Sequence, residues 1–171
     1  MTGILGSVLI LAGFFGEAFR ICRDYRKRIF LLKKMQCLYE QMKYEISYGK
    51  VPIPILLERL SKRSDMIFQV QFQKIADEMC VSGKPFEKIW KSHLQDELEG
   101  TPLRKQEQEL LLCFPEKQGF LEEGAQAKAL DELIRELQNR IMELEKEQKS
   151  KNKMVMSMGI AGGMLLSILL L

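Results

Sequence analysis

Few residues of this sequence have the types and the spacing that catalysis or metal binding needs. The chain of 171 residues contains one histidine, His93, and four widely separated cysteines, with no Cys-x-x-Cys pair and no second histidine. No Gly-x-Ser-x-Gly element is present, so serine-type catalysis lacks its nucleophile turn. Gly83-Lys84 matches the end of a phosphate-binding loop, but Glu78 stands where that loop needs its first glycine. We therefore expect no enzyme activity, no cofactor and no metal.

The apolar residues concentrate at the two ends of the chain. Residues 1–19 contain a single charge, Glu17, and residues 154–171 contain none. At about 1.5 Å per helical residue, the second run extends about 27 Å, close to the hydrocarbon thickness of a bilayer. Basic residues follow the first run and precede the second, which by the positive-inside rule keeps both flanks in the cytoplasm. We predict two terminal membrane spans, 1–19 and 154–171, around a cytoplasmic domain, 20–153.

The second predicted span contains small residues at a spacing that favours helix packing. Gly159 and Gly163 form a small-xxx-small face, and Gly162 lies between them. Such a face lets neighbouring backbones approach closely. It suits contact with other membrane subunits, with a second copy of the chain or with lipid alone, and the sequence leaves these alternatives open.

The overall charge excludes one class of partner. The chain has 26 basic and 23 acidic residues, a net charge of +3. Dedicated nucleic-acid binders neutralise many phosphates with clustered basic groups, and this balance does not supply them. We expect no nucleic-acid partner.

The middle of the chain has the periodicity of an all-α protein. Apolar residues recur at steps of three and four, and no run of alternating β-branched residues predicts a strand. Six such helices predict a cytoplasmic six-helix bundle flanked by two terminal transmembrane helices. The residues predicted to face the core are Leu32, Met35, Tyr39, Met42, Ile46, Phe68, Phe72, Ile75, Met79, Phe86, Ile89, Trp90, Leu94, Leu103, Leu110, Leu111, Phe114, Leu130, Ile134, Leu137, Ile141 and Leu144.

Turn signals predict where these helices begin and end. The predicted boundaries are an end at Gly49, a cap at Ser64 or Asp65, a start at Pro85, a cap at Thr101 followed by Pro102, and an end at Pro115. The last helix is predicted to run from about residue 122 into the second span, either unbroken or kinked near 150–153.

One block of ten residues carries a specific motif. Residues 45–54 read Glu-Ile-Ser-Tyr-Gly-Lys-Val-Pro-Ile-Pro, and further matching elements follow in order at 86–90, 101–103 and 151–163. Over essentially its whole length the chain resembles the stage III sporulation protein AB family, whose members carry Glu-Ile-x-Tyr-Gly and then Pro-x-Pro after their first long helix. Where that family usually has a Leu-Gly-x-x-Leu-Gly-x-Ser-Asp loop, this chain reads Cys-Phe-Pro-Glu-Lys-Gln-Gly-Phe-Leu at 113–121.

The resemblance implies a noncatalytic subunit of the channel, or feeding tube, between mother cell and forespore in endospore-forming bacteria. It implies a place in the mother-cell-derived outer forespore membrane, with the bulk of the chain in the mother-cell cytoplasm. The cytoplasmic domain would be similar to the six-helix domain of platform proteins of type II secretion systems and type IV pili. The implied partners are the cytoplasmic ATPase, stage III sporulation protein AA, and other membrane subunits of the channel.

Under this hypothesis the partner surface lies at the turn after the first helix and on the charges of the last helix. The candidate residues are Glu45, Tyr48, Gly49, Pro52, Pro54, Glu136, Arg140 and Glu143. The alternatives are that the turn residues only shape the backbone and that the charges form a solvated face. At the level of the whole protein, the alternatives are a self-assembling membrane oligomer of a holin-like or stress-related kind, and a membrane-tethered enzyme.

Overall fold

A computed structural model describes the backbone of residues 2–63, 67–114 and 123–170, and side chains within 20–63, 67–114 and 127–162. Within these ranges the chain forms helices and no strands, so the predicted all-α class and the number of helices are confirmed. The helices are α1 (Thr2–Gly49), α2 (Ile53–Ser61), α3 (Gln69–Val81), α4 (Phe86–Glu99), α5 (Lys105–Leu112) and α6 (Glu123–Leu170).

The helices form two compact units. Residues 30–141 make up one, the bundle, and residues 1–29 with 142–171 make up the other, which consists of the outer parts of α1 and α6. The divisions at 29/30 and 141/142 fall inside the two long helices.

An aromatic cluster occupies the core of the bundle. The ring of Trp90 in α4 lies 5.1 Å from that of Phe114, 5.6 Å from Phe86 and 6.0 Å from Phe72, measured between centroids. Tyr39 of α1 contacts Phe114 at 5.0 Å. All five side chains are buried. Aromatic pairs of this kind contribute about 0.5–1.5 kcal/mol beyond the area they bury, so the cluster joins α1, α3 and α4.

A single carbonyl at the end of α5 satisfies the polar atoms of this cluster. The Tyr39 hydroxyl and the Trp90 indole N–H both donate to the carbonyl of Leu111, at 3.1 and 3.2 Å. The last carbonyls of a helix have no intrahelical partner, which makes this one available. Burial, with a smaller contribution from Cys113, raises the pKa of Tyr39, so the phenol remains a donor.

The predicted core residues are buried or half-buried, with a shift in α6. Leu133 is fully buried and Ile134 is only half-buried, although either would fit the spacing. The buried residues of α6 recur at steps of three and four on either side of Leu133. Ile134 therefore lies at the edge of the buried face. Phe68, Met79 and Leu110 are also half-buried.

Two of the predicted helix starts, those of α5 and α3, differ from the structure. Thr101 lies just beyond the end of α4 and does not cap α5, because its hydroxyl donates to the Leu98 carbonyl at 2.5 Å. α5 begins at Lys105, where the Glu107 carboxylate accepts the backbone N–H of Arg104 at 2.9 Å. A side chain from the first turn therefore caps the amino-terminal end of α5, as in a capping box.

α3 begins at Gln69, immediately after Phe68, whose φ of 59° is left-handed and cannot continue into a right-handed helix. The predicted cap, Ser64 or Asp65, lies outside the described residues, and so does Pro115.

The last helix is continuous from Glu123 to Leu170, without a break at 150–153. Most side chains of the two predicted spans, 1–19 and 154–171, lie outside the described residues. Among the residues that the structure describes, no helix has the length and apolarity to cross a membrane. The two flanking spans stay a prediction.

Candidate functional site

The turn between α1 and α2 is built by backbone geometry. α1 ends at Gly49, but the left-handed residue that reverses the chain is Lys50, with a φ of 48°. Pro52 follows in an extended conformation as the N-cap of α2, whose Leu56 N–H donates to the Pro52 carbonyl at 3.0 Å. Pro54 is the second residue of α2, where a helix tolerates the missing N–H. The motif residues therefore set the direction in which the chain leaves α1.

An ion pair and a close approach hold this turn in place. The Arg59 guanidinium on α2 lies 3.7 Å from the Glu45 carboxylate on α1. A Cβ at Gly49 would lie 3.2 Å from that carboxylate and from the Val51 side chain, so glycine leaves room for both. On the opposite side, α2 is anchored in the core by Leu56, Leu57 and Leu60.

Two exposed tyrosines lie at this turn. Tyr48 is 79% exposed and Tyr44 is 63% exposed, and their ring centroids are 5.1 Å apart. Residues four apart share a helix face, which brings the two rings together. The sequence reasoning missed Tyr44, although its place four residues before Tyr48 and outside the apolar stripe was a signal. We call Tyr44, Tyr48 and the exposed Pro52 the turn surface.

The predicted charges of the last helix do not act as one group. Arg140 binds inside the bundle, where its Nη2 and Nε lie 3.0 and 3.1 Å from the same Glu107 oxygen. Glu136 is half-buried in the same unit, whereas Glu143 is exposed and belongs to the unit of residues 1–29 and 142–171. Glu107 is 1% exposed, and a buried carboxylate needs a compensating charge. The Arg140 guanidinium supplies that charge.

The single histidine takes part in a charged contact between helices. His93 Nε2 on α4 lies 2.7 Å from one oxygen of Glu78 on α3, and Lys84 Nζ donates to the other at 2.7 Å. The bonds from Lys84 and His93 hold the pKa of Glu78 below its ordinary value. This contact joins α3 to α4.

A polar cavity of about 530 Å³ opens between α4 and α5. Two lysines, Lys91 and Lys105, and two glutamates, Glu99 and Glu109, are among its lining residues. These charges balance, so they do not select an ion of either sign. Within the described ranges, no three side chains of the metal-binding types histidine, cysteine, aspartate and glutamate come together.

The glycines predicted to pack membrane helices lie in α6. Gly159 and Gly162 are half-buried, and the surroundings of Gly163 lie outside the described residues. Their role in helix pairing stays a prediction.

Comparison with known proteins identifies the family. The sequence profile of the family described as Stage III sporulation protein AB matches residues 3–171. The curated protein "Stage III sporulation protein AB" from Bacillus subtilis (strain 168) is 23% identical, and the match covers 100% of both chains. A solved structure with the same name superposes with a TM-score of 0.64 at 19% identity, covering 72% of this chain and 98% of that one, which shows a shared fold. The chain belongs to the stage III sporulation protein AB family, and with it to stage III of sporulation.

Proposed function

We propose that this protein is a noncatalytic platform subunit of the mother cell–forespore channel, which docks a cytoplasmic ATPase resembling stage III sporulation protein AA. Its two apolar ends anchor it in the mother-cell-derived outer forespore membrane, beside the other membrane subunits of the channel. Family membership and the apolar, uncharged run at 154–171 support this role.

The observation that carries the proposal is the exposed tyrosine pair of the turn surface. Tyr44 and Tyr48 project from the end of a long helix whose opposite face is buried in the bundle. Both tyrosines are on the regular backbone of α1, so little backbone entropy is lost when a partner covers the rings. Tyrosine is enriched among residues that dominate binding energy at interfaces. The turn surface is therefore the docking site that the bundle offers.

Binding of the purified ATPase to the immobilised full chain in detergent tests the docking step. Replacing both Tyr44 and Tyr48 by alanine is expected to weaken binding about thirtyfold, at about 1 kcal/mol per ring. Phe30→Ala is the matched control, because Phe30 is a 56% exposed aromatic residue on the same helix. Its affinity is expected to stay within about twofold of the parent. Equal affinity of all three proteins would place the interface elsewhere, and no binding by the parent would refute the docking role.

Cysteine labelling tests the membrane topology independently. In a chain whose native cysteines are replaced, single cysteines near Thr2 and after Leu171 are expected to react with a membrane-impermeant reagent from outside. A cysteine in the bundle is expected to react only from the cytoplasm. Labelling of the bundle from outside would contradict contact with a cytoplasmic ATPase.

A further inference from the structure

Positive charge concentrates where the two apolar ends begin. Residues 20–29 and 142–153 contain nine basic and four acidic residues, a net charge of +5. The rest of the chain, with 17 basic and 19 acidic residues, has a net charge of −2. These two segments belong to the same compact unit. The excess positive charge of the whole protein is thus located in this unit.

Within this unit, each long helix carries a basic stripe with the same spacing. On both helices the basic residues recur at i, i+3 and i+7, which places them on one face over about 10 Å. All six are exposed. We call them the basic collar, and its members are Arg20, Arg23 and Lys27 on α1 and Lys146, Lys149 and Lys153 on α6.

A buried tyrosine sets the register between the two stripes. The Tyr25 hydroxyl donates to the Glu147 carboxylate at 2.9 Å, and Lys151 Nζ lies 4.6 Å from the centroid of the Tyr25 ring. The Arg28 guanidinium lies 5.0 Å from the same centroid. Tyr25 therefore lies level with residues 147–151 of α6. Its hydroxyl is hydrogen-bonded to one of the acidic groups of this unit, the Glu147 carboxylate.

This register places the starts of the two apolar runs at the same height. The apolar run of α1 ends at residue 19, and the apolar run of α6 begins at residue 154. On each helix, the apolar run lies between the Tyr25 contacts and the nearer end of the chain. Five residues, about 7.5 Å, separate Tyr25 from Arg20, and a similar length of α6 leads to residue 154. The six residues of the basic collar therefore form one band, next to the point where each apolar run begins.

We propose that the basic collar binds the phosphate-bearing headgroups of anionic phospholipids. The inference rests on the proposed anchoring of the two ends in the membrane and adds a lipid preference to it. A leaflet rich in anionic lipid attracts basic residues that lie within a Debye length of its surface. Lysine and arginine also donate charge-assisted hydrogen bonds to phosphate oxygens. Two stripes at one height place these donors in the plane of the headgroups.

Electron spin resonance of chain-labelled lipids measures the preference. The full chain is reconstituted into phosphatidylcholine vesicles that contain trace spin-labelled phosphatidylglycerol or spin-labelled phosphatidylcholine. The motionally restricted fraction of each probe gives its relative association with the protein. We expect phosphatidylglycerol to be favoured about fivefold, the ratio that corresponds to about 1 kcal/mol, and the preference to fall toward one in 1 M salt.

Charge-neutral substitutions in the collar test its role. The collar variant carries Arg23→Gln, Lys27→Gln, Lys149→Gln and Lys153→Gln. Its preference for phosphatidylglycerol is expected to drop to between one and two, because the restricted lipid remains while the phosphate contacts are lost.

A variant of the bundle provides the matched control for the loss of four charges. The control variant carries Lys74→Gln, Lys88→Gln, Lys105→Gln and Lys128→Gln, all at exposed positions of residues 30–141. It is expected to keep the full preference. An equal loss in both variants would overturn the proposal, because the effect would then come from net charge alone.

The remaining outcomes separate this inference from the proposed function. Restricted lipid without a preference in the parent chain would overturn the collar and leave the membrane anchoring intact. Absence of restricted lipid for both probes would overturn both. Loss of the preference in 50 mM inorganic phosphate, but not in sodium chloride of equal ionic strength, would identify the collar as a site for free anions.

Discussion

Replacing Arg140 by methionine is expected to destabilise the bundle by about 3 kcal/mol at pH 7. The Glu107 side chain is 1% exposed, and one of its oxygens accepts two hydrogen bonds from the Arg140 guanidinium, at 3.0 and 3.1 Å. Methionine keeps an unbranched apolar stem in place of the arginine stem but removes the charge. The carboxylate of Glu107 is then left in the core without the positive charge of Arg140, while its other oxygen still accepts the Arg104 N–H.

Proton uptake sets an upper limit on this loss. A carboxyl group that cannot tolerate its charge is neutralised by a proton, which for an ordinary glutamate costs about 3.7 kcal/mol at pH 7. At pH 5 the same neutralisation costs only about 1 kcal/mol, because the pH is then close to the reference pKa of about 4.3. The destabilisation caused by Arg140→Met is therefore expected to shrink as the pH falls.

Urea unfolding of the full chain in detergent, followed by Trp90 fluorescence, measures both quantities. Trp90 is the single tryptophan and is buried in the bundle, so its emission reports unfolding of that unit. Lys43→Met is the control. Its ammonium lies 2.5 Å from Asp131, but the two side chains are 38% and 58% exposed. Such a surface pair contributes at most about 1 kcal/mol.

Two results would refute this reasoning. Arg140→Met and Lys43→Met would have similar effects if burial of the charge did not matter. The Arg140→Met loss would be the same at pH 5 and pH 7 if it came from lost packing of the arginine stem and not from the Glu107 carboxyl group. The double variant Glu107→Gln/Arg140→Met identifies the origin of the loss. It keeps a carbonyl oxygen as acceptor for the Arg104 N–H, removes both charges and is expected to recover most of the stability.

Two further predictions concern the junction of α3 with α4 and its surroundings. Gly83→Ala is expected to lower the free energy of unfolding by about 1 kcal/mol, measured by thermal unfolding, because φ is 59° at this position. Gly100→Ala is the control and is expected to leave the stability unchanged, because φ is −72° there. Equal effects of the two substitutions would contradict the backbone argument. Because Lys84 and His93 lower the pKa of Glu78, its contribution to stability is present above the ordinary pKa of about 4.3 and is lost as the pH falls through the lowered folded value. Glu78→Gln is expected to be less stable at pH 7 and to lose less on acidification, and a melting temperature that falls as steeply from pH 7 to pH 3 as in the parent would contradict this.

The turn surface could be predicted only in part from the sequence. The motif at 45–54 identified Tyr48 and the two prolines, since their spacing and their effect on the backbone are local properties. Tyr44 was missed because it lies one residue before the motif, although its place outside the apolar stripe of α1 indicated an exposed position. Lys50, not Gly49, takes the left-handed conformation, although glycine has the lower cost there.

The sequence by itself determined the helical class, the six helices of the described ranges and the apolar ends. Each of these depends on residues within a few turns of one another: stripes at steps of three and four, prolines that end helices, and long uncharged runs. Burial of Leu32, Tyr39 and Trp90 follows from the same local pattern.

Only the tertiary structure decided how individual charges and polar groups are used. Glu107 and Arg140 are 33 residues apart, and Tyr25 and Glu147 are 122 apart, so no local spacing indicates either contact. The sequence predicts a surface charge at Arg140, but in the structure its guanidinium neutralises the buried carboxylate of Glu107. The physical reason is that the free energy of a charge depends on its desolvation and on its partner, and both are set by packing between distant segments.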